Sequence, residues 1–458
     1  MKFCKFIFFV IVLSSCGKNF LEVKTASNIV TPRTAADFQA ILDNGASLMN
    51  ANQGYLLSIV GSDEYYLSSS AWHALPLRAV IQKNAYVWAD NVYEGNTVDD
   101  WNEAYKRILN ANVALEGASN SEPEPSTAEE WNNVKGSALF FRAYNFYQLA
   151  QLFCKPFDSN TANQDLGIPL RLEPDVTLKT KRATLAQTYN RIVADLEEAA
   201  DLLPDRGMIK MRPSKAAALG LLARVYLQLD DYQKAGQYAD QALAIQDDLV
   251  DYNTLPTDTP FPFNRDYGET NAGVVFFSAS PTVTVLHNSR MEVDTTLLAL
   301  YDVHDLRRTM YYDVGNNGNV FFRGSYYGFS VPFTGITTSE LLLIRAECSA
   351  RLGYTEAALA DINQLNAMRF EPGSFQPYEQ LDAEKALALV LDERQRELAF
   401  RGLRWEDLRR LNKDPKFAKT IYRKIDDRLF TLEPNSSRYV WPIPPDVIEL
   451  GGLEQNNR

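Results

Sequence analysis

Two stretches of this chain carry the same pattern, and that repetition limits the fold more than any other feature. Between Pro213 and Gln246, residues Leu222, Ala223, Tyr226, Tyr232, Ala235, Ala239 and Ala242 follow the spacing of a tetratricopeptide unit. Such a unit is two antiparallel helices, with small residues where they approach closely. From Leu343 to Leu365 the pattern returns, with Ala346, Gly353, Ala358, Ile362 and Leu365 in register. A simple solenoid stacks successive repeats directly. Here the copies are not in tandem, because a long insertion separates them.

The insertion, about Asp247 to Thr337, has a different texture. Gly273-Val274-Val275-Phe276-Phe277 and Val283-Thr284-Val285 have strand composition. Asn316-Asn317-Gly318-Asn319 is a hairpin-turn signal between Tyr311–Val314 and Val320–Phe322. Ser325-Tyr326-Tyr327-Gly328-Phe329 places aromatic rings in a loop. Nearer the N-terminus, residues 45–95 also lack helical periodicity and hold Tyr55, Tyr65, Tyr66, Trp72, Tyr86, Trp88 and Tyr93. A loop region this long inside a globular protein is functional or disordered, and its aromatic content argues against disorder.

Helical periodicity fills much of the remainder. Thr31-Pro32 is expected to cap a helix burying Ala36, Phe38, Ile41 and Leu42. Asp99 to Ala118 is a second helix. Thr127-Ala128-Glu129-Glu130 has the form of a capping box ahead of a third, through Gly136, Phe140 and Leu152. Cys154 to Lys181 is a long connection, and Thr184 caps a helix reaching Leu203-Pro204. Strand composition returns at Leu429–Leu432 and Arg438–Trp441. The fold class is therefore mainly α: a tetratricopeptide-like scaffold of helical pairs with a loop-rich, weakly β insertion.

The stretch from Leu391 to Leu411 reads as two helical arms broken at Gly402. Glu397 and Arg401 stand four residues apart in the favoured order, and Glu406 faces Arg410. Trp405, Leu408 and Leu411 recur every third residue, which assigns Trp405 to the core. Charge spacing alone gives a solvated, charge-laced pair of amphipathic helices.

The order of residues says more. Glu393-Arg394-x-x-Glu397-Leu398-Ala399-Phe400-x-Gly402-x-Arg404-Trp405-x-Asp407-Leu408-x-Arg410 closely resembles the C-terminal signature of the SusD/RagB family of outer-membrane nutrient-binding lipoproteins. Arg401 departs from it, since members usually carry an acid before the glycine. Tyr439-Val440-Trp441-Pro442-Ile443-Pro444 looks like the family's terminal Y-x-W-P-I-P segment. Leu453-Glu454-Gln455-Asn456-Asn457 is near its L-x-Q-N-P ending, with Asn457 where proline is usual. The resemblance extends over essentially the whole chain, including Phe20-Leu21-Glu22-Val23 near the start.

The first residues look like an export signal. Lys2 and Lys5 precede an apolar run from Phe6 to Leu13, and Leu13-Ser14-Ser15-Cys16 reads as a lipobox. A spanning helix needs about 20 apolar residues, so this run is too short to be one. The expected organisation is a signal peptide over 1–15, lipid on Cys16, and one SusD-like domain over 16–458. Cys154 and Cys348 lie in apolar helical stretches and are expected to be buried free thiols. The sequence leaves a disulfide between them open.

A net charge of −12 makes nucleic acid and anionic lipid surfaces poor partners. No phosphate-binding loop, dinucleotide glycine fingerprint or serine-hydrolase elbow is present. His73, His287 and His304 are isolated from any second ligand at metal spacing. No catalytic, metal or cofactor residue is therefore assigned. The positive signal is aromatic. A ring covers the apolar face of a sugar or clasps a peptide side chain while neighbouring amides and acids bind polar groups. Trp72 and Trp88 lead the ligand candidates, followed by Tyr65, Tyr66, Tyr326 and Tyr327, and the two aromatic regions are expected to converge on one exposed surface. For any single ring, packing onto the scaffold remains the competing assignment.

The resemblance implies a non-enzymatic cell-surface lipoprotein that captures oligosaccharide or oligopeptide. It would pass the ligand to a TonB-dependent outer-membrane transporter of the SusC/RagA type. Two other classes stay open: a tetratricopeptide-type protein-interaction adaptor, and an anchored hydrolase. The long aromatic insertions speak against the adaptor, which does not need them.

Overall fold

The computed structural model describes residues 31–316 and 318–458. The lipobox at Cys16, the signal peptide and the Phe20–Val23 segment lie outside the described residues.

Both repeat pairs form, and local chemistry explains their ends. Ser214 accepts from the Ala217 amide at 3.2 Å and opens the helix Lys215–Gln228. Asp231 caps the return helix Tyr232–Ile245, which buries Ala235, Ala239, Ala242 and Leu243. In the second pair Thr337 caps Thr338–Arg351, and Gly353 at φ +85° turns the chain into Thr355–Ala367. The pairs stack directly on one another. Tyr232–Ile245 packs against Thr338–Arg351 so closely that a Cβ on Gly236 would lie 3.3 Å from Cys348 Cβ. Repeats separated in sequence are thus neighbours in space. The insertion leaves the stack and returns to it, and its two ends are clasped where Val274–Phe276 pairs antiparallel with Ile336–Thr337.

Asp99–Ser119, Ala128–Phe153 and Leu185–Leu202 extend the stack on the other side. Ala128–Phe153 is the central helix, fully buried from Gly136 to Phe153. Thr184 forms the expected cap, reciprocated by Gln187. Two caps differ from expectation. Thr127 makes no side-chain cap; its hydroxyl donates back to Glu124 O at 3.2 Å. The first helix is Ala35–Leu42, capped by Thr34 with Asp37 rather than by Thr31-Pro32. It buries Ala35, Phe38, Gln39 and Leu42, leaving Ala36 exposed.

Residues 45–95 are not structureless. They fold into short pieces, including Leu56–Gly61, Tyr65–Leu67, Ser69–His73 and Val80–Tyr86, which are too short to show a hydrophobic period. Tyr55, Tyr65, Tyr86, Trp88 and Tyr93 are core residues. The insertion contains the expected hairpin, Tyr312–Val314 against Val320–Phe322. Val283–Val285 is no strand, since Thr284–Leu286 is a single 3-10 turn whose Val285 amide donates to Gln82. Likewise, 3-10 geometry holds Ser437–Tyr439, and the Trp441 amide bonds Leu152 O on the central helix. A last hairpin joins Ile421–Ile425 to Arg428–Leu432.

The two arms around Gly402 are the helices Ala383–Glu397 and Leu403–Leu411. Gly402 has φ +78°, and a Cβ there would meet the Tyr55 ring at 2.6 Å, so both backbone and space require glycine. Trp405 is fully buried, stacked on Trp441 at 5.3 Å and beside Tyr439. The charges are not solvated, and neither expected i,i+4 pair forms. The first helix ends at Glu397, which leaves Arg401 outside it. Glu397 instead receives Arg369 at 2.8 Å and Arg307 at 3.1 Å, and Arg401 reaches Glu340 at 3.2 Å. Glu406 accepts from the Tyr147 hydroxyl, while Arg410 pairs with Glu347 and Asp407. Cys154 and Cys348 are buried free thiols.

Candidate ligand-binding site

The strand Tyr65–Leu67 alternates inward, outward, inward, and its partner Met291–Val293 does the same. Tyr66 and Glu292 therefore face each other on the outer side, and the Tyr66 hydroxyl donates to Glu292 Oε2 at 2.7 Å. That bond pushes the phenol up to about 12, so Tyr66 keeps its proton at neutral pH. Beside it opens a cleft of about 390 Å³ that also exposes Asp63, Asp294, Lys419, Thr420 and Tyr422.

The cleft is polar but charge-balanced. Burial pushes the Asp63 carboxyl up, but Arg404 at 2.7 Å and Lys419 at 2.7 Å hold it well below the usual carboxylate range. Asp294 caps a short turn by accepting from the Thr296 amide at 2.9 Å. Thr295 and Thr296 add hydroxyls to the wall. Tyr422 is 61% exposed, leaving most of its ring accessible at the rim. Two tyrosines, three threonine hydroxyls and an ammonium suit a neutral polar ligand with apolar faces better than a reaction. His73, His287 and His304 are all exposed, and no cluster able to hold a metal exists among the described residues.

The six aromatic candidates divide. Tyr66 lines the cleft. Tyr65 and Trp88 are buried and expose no ring, contrary to their expected place on a ligand face. Both flank Arg423, whose guanidinium lies 5.2 Å from the Tyr65 ring, 4.3 Å from Tyr86 and 5.6 Å from Trp88. Arg423 bonds the carbonyls of Ser62 and Tyr65 and forms a cleft wall, so these rings support the site from beneath. Trp72 is half-buried. Its Nε1 donates to Lys83 O at 3.1 Å, and Lys83 Nζ covers one ring face at 4.3 Å. Its neighbour His73 meets Asp426 on the last hairpin at 2.8 Å.

Tyr326 is also buried rather than presented, because its hydroxyl is needed by Glu397 at 3.1 Å and Tyr252 at 2.8 Å. Tyr327 is half-buried, stacked on Phe277, with Arg265 over its other surroundings. The exposed rings nearby are Phe329, against Phe261 at 4.8 Å, and Tyr267, edge-on to Phe277 at 5.6 Å. Among the described residues no ring contact joins this patch to Tyr66 or Trp72. The cleft residues missed from sequence are Asp63, Asp294, Thr295, Thr296, Lys419, Thr420 and Tyr422. One signal was available: the alternation Ile421-Tyr422-Arg423-Lys424-Ile425 points Tyr422 outward once a strand is assumed.

A stack of helical pairs carrying an irregular, aromatic-bearing lobe defines a SusD-type architecture. Solved structures share it. A putative sugar binding protein from Bacteroides vulgatus is 20% identical with a TM-score of 0.72, covering 93% of this chain and 99% of that one. A SusD superfamily protein from Bacteroides thetaiotaomicron is 22% identical with a TM-score of 0.72, covering 93% and 100%. At such identities the likeness is one of fold. A family model described as "Starch-binding associating with outer membrane" matches residues 19–227, and the SusD family model matches 323–457. SusD-like protein P2 from Formosa agariphila is 24% identical over an alignment covering 100% of this chain and 99% of that protein. The chain belongs to the SusD/RagB family.

Proposed function

We propose that this protein is a lipid-anchored, outward-facing outer-membrane protein that captures oligosaccharide and passes it to a TonB-dependent transporter of the SusC/RagA type. The observation that carries the capture step is the cleft beside Tyr66. It offers ring faces at Tyr66 and Tyr422 and hydroxyl partners at Thr295, Thr296 and Thr420, without a concentrated net charge. Membership of a family with a starch-binding, outer-membrane-associating description supports the same reading. Lipid on Cys16 would supply the anchor, and acyl chains contribute roughly 0.8 kcal/mol per buried methylene.

Calorimetry with a panel of neutral oligosaccharides and oligopeptides tests the capture step. Saturable binding of a glycan, weakened by Tyr66→Ala and Tyr422→Ala, is expected. Binding of peptides alone would move the ligand class to oligopeptide. Turnover of any panel member would favour the anchored hydrolase. Co-purification of the signal-less protein with an outer-membrane barrel tests the transporter step. Release of Cys16→Ser into soluble fractions tests the anchor.

A further inference from the structure

A second cavity, of about 330 Å³, lies where the Leu403–Leu411 helix meets the end of the central helix and the 435–440 turn. Arg409, Asn412, Tyr439, Lys155 and Lys413 line it. The first three are at least nine-tenths buried. Asn412 donates to the Tyr439 oxygen, which leaves Arg409 Nε and the Tyr439 hydroxyl proton without an acceptor. A buried donor left unmet is costly, so two beside one cavity call for a common acceptor.

Charge narrows what that acceptor is. Every other buried arginine of the signature finds a carboxylate; Arg394 has Asp407 and Arg410 has Glu347. Arg409 has no carboxylate in ion-pairing range among the described residues. Its Nη atoms bond only the carbonyls of Gln151 and Cys154 and the Gln151 amide oxygen. These carbonyls are the negative end of the central helix, which offsets a fraction of a charge. Asn412 cannot turn its oxygen inward, because Oδ1 already accepts from the Lys419 amide at 3.0 Å. At the rim, Lys155 meets Asp165 at 2.7 Å, and Lys413 meets Asp230 at 2.6 Å and Phe157 O at 3.0 Å, so Lys155 keeps two further N–H groups and Lys413 one. The two acids of the lining, Asp158 and Asp165, are engaged by Asn160 and by Lys155 and Thr161. Asp158 meets no cation but is exposed to water, so what remains inside is a buried guanidinium whose direct partners are all neutral. A water can accept these bonds but leaves the charge unbalanced, and a neutral sugar does the same.

We propose that this cavity is a binding site for a compact oxyanion, a sulfate, phosphate or carboxylate group, held by Arg409 and Tyr439 with Lys155 and Lys413 at the entrance. It is separate from the Tyr66 cleft and does not depend on the nutrient that cleft takes.

The test uses the mature chain at fixed ionic strength in chloride, titrated with sulfate, phosphate, acetate or glucose while the unfolding temperature is followed. At least one oxyanion is expected to raise it saturably, with half-saturation on the order of millimolar, and glucose is expected to leave it unchanged. Which anion acts distinguishes an inorganic ligand from a carboxylate-bearing one. The rim variant Lys155→Gln with Lys413→Gln, read against its own chloride baseline, should weaken half-saturation about tenfold. Arg409→Gln should abolish saturation if it folds. Selenate soaked into crystals should give anomalous density in the cavity. A rise that never saturates, or one identical in the rim variant, overturns the proposal, as does selenate density only elsewhere.

Discussion

In the helices flanking Gly402, Glu393, Arg394, Glu397, Glu406, Asp407 and Arg410 are all buried and engaged with one another or with the stack. Around Tyr66, Glu292, Asp294 and Lys419 stay partly in water. Both regions are charged in sequence. The difference is the company each charge keeps: the first set meets the insertion through Arg307 and the end of the second repeat pair through Arg369, and the second meets solvent. Buried pairs fix how the insertion sits on the repeats, whereas partly wet ones leave groups available to a ligand. A buried pair is a weak source of net stability, but removing one partner strands the other.

The sharpest way to break this contrast is Glu397→Ala, which strands Arg369 and leaves Arg307 only Asp305 and Glu393, and should cost roughly 3–5 kcal/mol. Glu292→Ala in the cleft should cost under about 1 kcal/mol. Urea denaturation of both variants makes the comparison, and equal losses would remove the distinction. Trp405→Ala should also cost roughly 3–5 kcal/mol, through its cavity rather than through charge. A thermal melt of that variant matching wild type would contradict its packing against Trp441.

The pH profile separates two kinds of buried acid. Glu347 and Glu393 are pushed up by burial, but their arginines bring them down to about 2 from 4.5. Their stabilisation is present above pH 4.5 and is lost as pH falls towards 2. Burial raises Glu64 and Glu406 to about 7, helped by the charges of Asp63 and Asp407. Those two bind more protons folded than unfolded between pH 4.5 and 7, so the protein gains stability as pH falls through that window. The urea midpoint at constant ionic strength should therefore peak near pH 4.5–5. A midpoint that rises steadily to pH 8 would mean that Glu64 and Glu406 are ionised at neutral pH.

Smaller effects test the aromatic assignments. Trp88→Ala should destabilise strongly, because its Nε1 is bonded to Gly61 O at 3.0 Å within the core. Trp72→Ala should shift the melt by less, since its ring is only partly buried. Tyr422→Ala should leave the melt almost unchanged and weaken only ligand affinity. A Tyr422→Ala protein that binds as wild type would move the search to the Phe261–Phe329 patch.

The repeat helices could be read from sequence because small residues at Ala235, Ala239 and Ala358 report close approach whatever surrounds them. The arms around Gly402 could be placed but not understood. The spacing of Glu397 and Arg401 shows which residues can meet along one helix, and it is silent about Arg369, which arrives from another element. Tyr65 and Trp88 misled for a related reason. Rings in segments too short to show a period look alike whether they bind a ligand or pack around Arg423. The cleft was nearly invisible because its walls come from residues 63–66, 294–296 and 419–423, and no local pattern links the three.

The antiparallel pairing of Val274–Phe276 with Ile336–Thr337 has a practical consequence. It brings the chain back beside the strand that opens it, so the lobe behaves as a cassette held at its doorway and again inside, by Arg307 and by Met291–Val293. Loops between residues 277 and 335 that carry neither fastening can lengthen, shorten or change their surface chemistry while the second pair still docks on Gly236. A graft that moves ligand preference between relatives therefore has to carry the 63–66 and 419–423 walls along with the cassette.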